Sequence, residues 1–422
     1  VVDIGPGSPT GIVFGYGAAF PEKYQRALYI CDWSYGKLYA VHLDEDGSTY
    51  KGTAEQFIAG APLPLTDLVV RPQDGALYVA IGGRRTQSGL YRITHEDAPR
   101  PLALDALKGA SNPARALRRN LERFHADPSP EAIDAAWPHL AHADRAVRFA
   151  ARVAIEHQPV DRWRERALEE KRPVASIEAI IALARHGKKS EDLGPAIASL
   201  NRIAWDDLDE NGKLALLRAY GLVLVRLGPG EPTVRSEVIA RLDERYPAKS
   251  YPLNRELSQL LIHLEAPKVV ARTLALLDKA PTQEEQIHYA LSLRSLEHGW
   301  SLDERRRYFA WFRGARAYRG GNSFGGFLRN IRNEAIEKLS GEEKTALAEV
   351  LAEAPPPSDF AALPQPKGPG KEWTIDELLP LVEKELSGRD FQNGKDMFAA
   401  ARCFACHRFA GQGGAAAPDL TG

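Results

Sequence analysis

The 422-residue sequence predicts a multidomain chain. Its parts are two blades of a partial β-propeller over residues 1–98, an α-solenoid of HEAT-like helical repeats over 112–354, and a truncated all-α domain over 373–422. A proline-rich linker at 355–372 precedes the last part. Three observations predict this order. The first ninety-eight residues are rich in Gly, Tyr, Val and Ile and repeat themselves. The middle turns to Ala, Leu, Arg and Glu with helical apolar spacing. Pro355-Pro356-Pro357, Pro364, Pro366 and Pro369 then form an extended stretch that cannot join a packed core.

The first segment holds two copies of one pattern. Ala27-Leu28-Tyr29 is followed by Gly36-Lys37-Leu38-Tyr39, and Ala76-Leu77-Tyr78 by Gly89-Leu90-Tyr91. Upstream, Thr10-Gly11-Ile12-Val13 corresponds to Thr66-Asp67-Leu68-Val69. Leu28 and Leu77 lie 49 residues apart, and Leu38 and Leu90 lie 52 apart. Short alternating strands with glycine turns at a period near 50 are what propeller blades give. Two unrelated β-meanders are the plainer alternative. A propeller closes with about four to eight blades, so two blades read as the end of a larger domain.

The second segment repeats as helices. Ile177, Ile180, Ile181 and Ala184 fall at helical spacing, as do Leu257, Leu260, Leu261 and Leu264. Val147, Ala150 and Ala154 begin another stripe. Leu214, Leu217 and Gly221, and Ile287, Ala290 and Leu291, begin two more. Val234-Val238-Ile239-Leu242 and Val270-Leu274-Leu277 read as partner helices. Gly187, Gly228 and Gly299 read as C-caps. Helix pairs of 30 to 43 residues stack into a solenoid, an irregular bundle being the alternative. These stripes are core and carry no chemistry.

Charge and composition exclude several roles. Fifty-five basic and 56 acidic residues nearly cancel, which disfavours a nucleic-acid partner. No apolar run is long enough for a membrane span. Three cysteines cannot build a disulfide framework; Cys31 reads as a buried strand residue. The chain opens at Val1 with no signal-peptide core, which reads as a mature product or an excised piece.

The chemistry lies in Cys403-Phe404-Ala405-Cys406-His407, a C-x-x-C-H motif. Two thiols one helical turn apart can each add to a vinyl group of one macrocycle, and the next imidazole then meets the iron as proximal ligand. This predicts covalent haem c. A zinc site needs about four ligands, and Cys31 is far away in sequence. A thioredoxin-like pair needs a βαβ context that the sequence lacks, and two structural cysteines beside an accidental histidine is the blandest reading. Met397, the only methionine, precedes Cys403 by six residues and is poorly placed as an axial ligand.

Gly394-Lys395-Asp396-Met397-Phe398, the C-x-x-C-H motif and Ala417-Pro418-Asp419-Leu420-Thr421-Gly422 together resemble class I cytochrome c. The resemblance implies that Phe398 packs near the porphyrin edge. It also implies that the Pro418 carbonyl accepts a hydrogen bond from His407, and that a distal methionine lies tens of residues beyond Gly422. The whole order resembles a planctomycete-type family that joins a glucose/sorbosone dehydrogenase-like propeller to HEAT repeats and a C-terminal cytochrome c. Arg84 to Arg92 and Gly320 to Arg332 carry that resemblance with the motif. It implies oxidation of a small-molecule sugar or polyol, electron transfer through haem to or from a donor or acceptor protein, and a periplasmic or extracytoplasmic bacterial location. Ser34, Pro64 and Thr66 stand where related sugar dehydrogenases have a lysine and arginines, so pyrroloquinoline quinone is not supported by this fragment. The chain alone is not expected to be an active dehydrogenase. Arg84 and Arg85 read as a solvated loop or a pocket lining. Asn322 and Ser323 read as an N-cap ahead of Phe327, Ile331 and Ala335, or as part of a docking surface for the cytochrome. Trp311, Phe312 and Tyr318 read as core between helices. A binding scaffold without functional haem is the alternative function, and the oligomeric state is not legible.

Overall fold

Alternating apolar residues in the first ninety-three positions pair as two small antiparallel sheets. In the first, strands β1 (Pro9–Phe14), β2 (Leu28–Asp32), β3 (Lys37–Asp46) and β4 (Thr49–Ala59) lie side by side in chain order. The second repeats this order with β5 (Leu65–Val70), β6 (Leu77–Gly83) and β7 (Thr86–Ile93). The computed structural model describes residues 2–5, 7–83, 86–97, 99–102, 112–126, 128–187, 190–318, 320, 324–352, 370–385, 388–409, 412–413 and 420. Arg84, Arg85, Asn322, Ser323, most of the proline-rich linker and Pro418 lie outside the described residues.

The sheets share an apolar core that includes Phe20, Tyr29, Cys31, Leu38, Leu65, Leu77 and Val79. Cys31 is fully buried on β2, as its setting in the sequence suggests. The repeated dipeptides, however, do not superpose. Tyr29 is buried and Leu28 half-buried, whereas Leu77 is buried and Tyr78 half-buried. Side chains alternate every residue along a strand, so a one-residue offset sends the same pair to opposite faces. Leu38 is likewise buried while its counterpart Leu90 is 71% exposed on β7. Gly47, in the β3–β4 turn, has φ +57, and a Cβ there would stand 2.4 Å from Asp144 Oδ2. That close approach lets Asp144 accept the Ser48 N–H at 2.6 Å, which ties the hairpin to the helices.

The chain forms two compact units, Val1–Ala266 and Pro267–Gly422. In the first, helices Arg145–Glu156, Pro173–His186, Glu210–Arg226 and Tyr251–His263 carry the main apolar faces. The stripes at 147–154, 177–184 and 257–264 are buried as expected. On Glu210–Arg226 the buried face is Leu216, Leu217, Tyr220, Val223 and Leu224, and Leu214 is only half-buried. A helix with apolar residues all round offers two candidate faces, and neighbouring helices choose between them. Buried Glu156 gathers Arg152, Arg185 and His186, which offsets the cost of its burial.

In the second unit, helix Gln283–Leu293 buries Tyr289, Ala290 and Leu293, not Leu291, which is 38% exposed. Of the three expected C-cap glycines, Gly228 follows its helix with φ +121. Gly187 caps with ordinary negative φ, and Gly299 lies five residues beyond the helix cap at Arg294. Trp311, Phe312 and Tyr318 pack edge to face, with Trp311 and Tyr318 both donating to Gln286 Oε1, so they are inter-helix packing. Helix Phe324–Glu337 buries Ile331 and Ala335 but leaves Phe327 63% exposed. Among the described residues no helix is long and apolar enough to cross a membrane.

Candidate functional site

Helix Phe391–Ala400 leads into the motif. Asp390 caps it by accepting the Asn393 N–H at 2.6 Å, and Ala399 and Ala400 are its buried residues. Arg402 then takes a left-handed backbone conformation, φ +59, and breaks the helix. The chain re-enters a single tight turn at Cys403–Ala405. There the Cys403 carbonyl accepts two backbone N–H groups, from Cys406 at 3.2 Å and from His407 at 2.8 Å. That double acceptance winds the five residues into one turn. The turn thus brings Cys403, Cys406 and His407 within one winding of the backbone.

Both thiols are free, with Cys403 half-buried and Cys406 exposed. Phe404, between them, turns the other way and is buried edge-on against Phe398, ring centres 4.8 Å apart. The sequence sets this up, since in a C-x-x-C turn the second residue cannot face with the first and fourth. Past His407, β8 (Arg408–Phe409) pairs antiparallel with β9 (Gln412–Gly413), and the Phe409 ring lies tilted against Phe391 with ring centres 6.1 Å apart. Gly413 has φ +102, and a Cβ there would lie 2.2 Å from the His407 carbonyl oxygen and 2.7 Å from Phe404 Cδ1. Only glycine fits so close to the motif. Leu420 donates its N–H to the Arg408 carbonyl at 2.8 Å and so brings the chain's last described residue back beside His407.

The structure places Cys403, Cys406 and His407 on one turn. Pro418, two residues before Leu420, lies outside the described residues. Three features were not read from the sequence. Arg402 has no residue signal, because arginine rarely adopts positive φ. Gly413 carries no sequence signal of its contact, which depends on the hairpin. Arg408 has a buried Nε without a hydrogen-bond partner among the described residues. That Nε–H, one residue from His407, would suit an anionic group of a bound cofactor.

The donor set fits haem c on these observations: two free thiols and an imidazole on one turn, with the half-buried Arg408 beside them. Among the described residues no group of three or more His, Cys, Asp and Glu side chains is placed to hold a metal ion by itself. The residues compared with quinone-binding positions serve the local fold. Ser34 is held by Asp32 and Ser8, Pro64 is buried, and the Thr66 hydroxyl donates to the Ala80 carbonyl. No curated protein and no solved structure matches the chain. Residues 391–422 match the cytochrome c family model, so the C-terminal end of this chain is similar to a cytochrome c domain.

Proposed function

We propose that this chain is an electron-transfer protein with haem c attached through Cys403 and Cys406 and ligated by His407. The observation that carries the proposal is the C-x-x-C-H turn, in which the Cys403 carbonyl accepts the backbone N–H groups of both Cys406 and His407. When bound, haem c supplies reversible one-electron exchange at its iron. The two sulfurs provide the thioether bonds, and His407 provides the proximal imidazole. Arg408 offers its guanidinium to a carboxylate of the cofactor. Phe398 and Phe404 give the turn an apolar backing that limits water. Pro418, by resemblance, holds His407 in its ligating tautomer through the proline carbonyl.

Several finer readings belong to the same proposal. The two chain-order antiparallel sheets support a reading as propeller blades of the sugar-dehydrogenase type, and the stacked apolar helices support a HEAT-like solenoid. A sugar or polyol oxidised at a propeller is the proposed electron source, and a donor or acceptor protein the proposed redox partner. Thioether haem attachment is made outside the cytoplasm, so we place the protein in a periplasmic or other extracytoplasmic compartment.

A spectroelectrochemical titration of the full chain, produced with c-haem maturation factors, tests this function. A single reversible one-electron wave that is altered in His407→Ala supports it. A chain that holds haem yet takes up no electron reversibly contradicts it.

A further inference from the structure

The two small sheets repeat one pattern but are not equal. The first has four strands, and the second, among the described residues, has three. In the first, β4 pairs antiparallel with β3 along its whole length, from Lys37↔Ala59 to Asp46↔Thr49. Leu38, Ala40 and Val41 of β3 are fully buried there, and Phe57 and Ile58 of β4 pack against the shared core. β7 holds the place of β3 in the second sheet and carries the matching pair Leu90-Tyr91. Yet Leu90 is 71% exposed and Tyr91 51%. The register puts them on opposite faces, with Tyr91 across from Val79 and Leu90 across from Ala80.

The chain after β7 does not turn back along this edge. His95 packs edge to face on Phe20. Gln25 then holds the following residues, accepting the Leu102 N–H at 2.6 Å and donating to the Arg100 carbonyl at 3.4 Å. β7 also lacks the devices that keep edge strands single. It has no proline, and its one charge, Arg92, pairs with Asp74 at 3.1 Å. Every second N–H and carbonyl along it points away from β6, and another extended backbone is what matches such a row. We propose that the free edge of β7 is a strand-binding site. Its ligand is an extended peptide segment, antiparallel to β7, with two adjacent apolar residues that cover Tyr91 on one face and Leu90 on the other. β4, with Phe57-Ile58 beside β3, is the internal precedent for that occupant. Main-chain bonds supply the affinity, and the apolar pair sets the register. The site stands on strand pairing alone and is independent of haem.

The probe is a synthetic peptide with the β4 sequence, Thr49 to Ala59, added to the full chain. It should bind saturably and slow hydrogen exchange about tenfold at alternate amides of β7, read by mass spectrometry with residue-level fragmentation. A peptide carrying Glu55→Pro and Gln56→Pro keeps the apolar pair but loses a donor on whichever side faces β7, and should not bind. In the chain, Leu90→Lys sets a charge on the edge and should weaken binding about tenfold. Leu90 is largely exposed, so this variant keeps the core intact. No binding at millimolar peptide would overturn the proposal, as would equal binding of the proline peptide. Protection appearing on β3 would mean exchange with β4, and uniformly slow β7 amides in the free chain would mean an edge already covered. Either result also overturns it.

Discussion

At the scale of single residues the motif was legible because its chemistry is local. Cys403, Cys406 and His407 stand at spacings that one helical turn brings together, and no distant contact is needed. Arg402 and Gly413 were not legible, since their backbone angles answer to contacts made after the turn closes. Gly413→Ala places a methyl against the His407 carbonyl and requires unfavourable φ. It should reduce covalent haem loading several-fold without unfolding the helical repeats, as read by haem staining beside circular dichroism. A second residue-scale prediction concerns acid stability. Hydrogen bonds from Arg172, then its backbone N–H and the Trp137 ring N–H, hold the Glu170 carboxyl down to about 2 from 4.5. A depressed folded pKa gives stability that is present above the unfolded value and lost as pH falls toward the folded one. Glu170→Gln should therefore cost about 2 kcal/mol at neutral pH, after allowance for solvent screening. The gap to the parent should close between pH 4.5 and 2 in denaturant titrations.

At the scale of elements, helices were legible from apolar spacing, but the face each one buries was not always so. Helix Glu210–Arg226 is apolar on more than one side, and Leu216 and Tyr220 rather than Leu214 meet the neighbouring helices. The exposed Leu291 shows the same limit. Helix starts depend on short-range bonds and carry clear energetic consequences. Ser340 and Glu343 form a capping box for Gly341–Ala346, and Glu343 Oε1 also accepts from Arg305 Nε at 3.3 Å. Arg305 is only 1% exposed, stacks over Trp300 and donates to the Glu297 carbonyl. Ser340→Ala removes only the cap and should cost about 1 kcal/mol. Glu343→Ala also strands a buried guanidinium and should cost about 3 kcal/mol. Urea denaturation of the two variants measures the difference, and equal losses would show that the ion pair contributes nothing.

At the scale of the whole molecule, the order of sheets, helices and haem motif could be read from composition and period. The facing of the repeated strands could not. A 49-residue period aligns Leu28 with Leu77, yet the pleat turns them to different faces, and only tertiary packing reveals it. The buried Tyr29 and the exposed Leu90 make the same point from the two sheets. What unites the account is the C-terminal turn, because every functional expectation runs through covalent haem at Cys403 and Cys406. The direct measurement is the mass and visible spectrum of the full chain after denaturation, purified from a host with c-haem maturation factors. The account predicts one haem per chain that stays attached in denaturant, a reduced α-band, and loss of both in the Cys403→Ala, Cys406→Ala variant. A well-folded parent chain without attached haem from that host would contradict it.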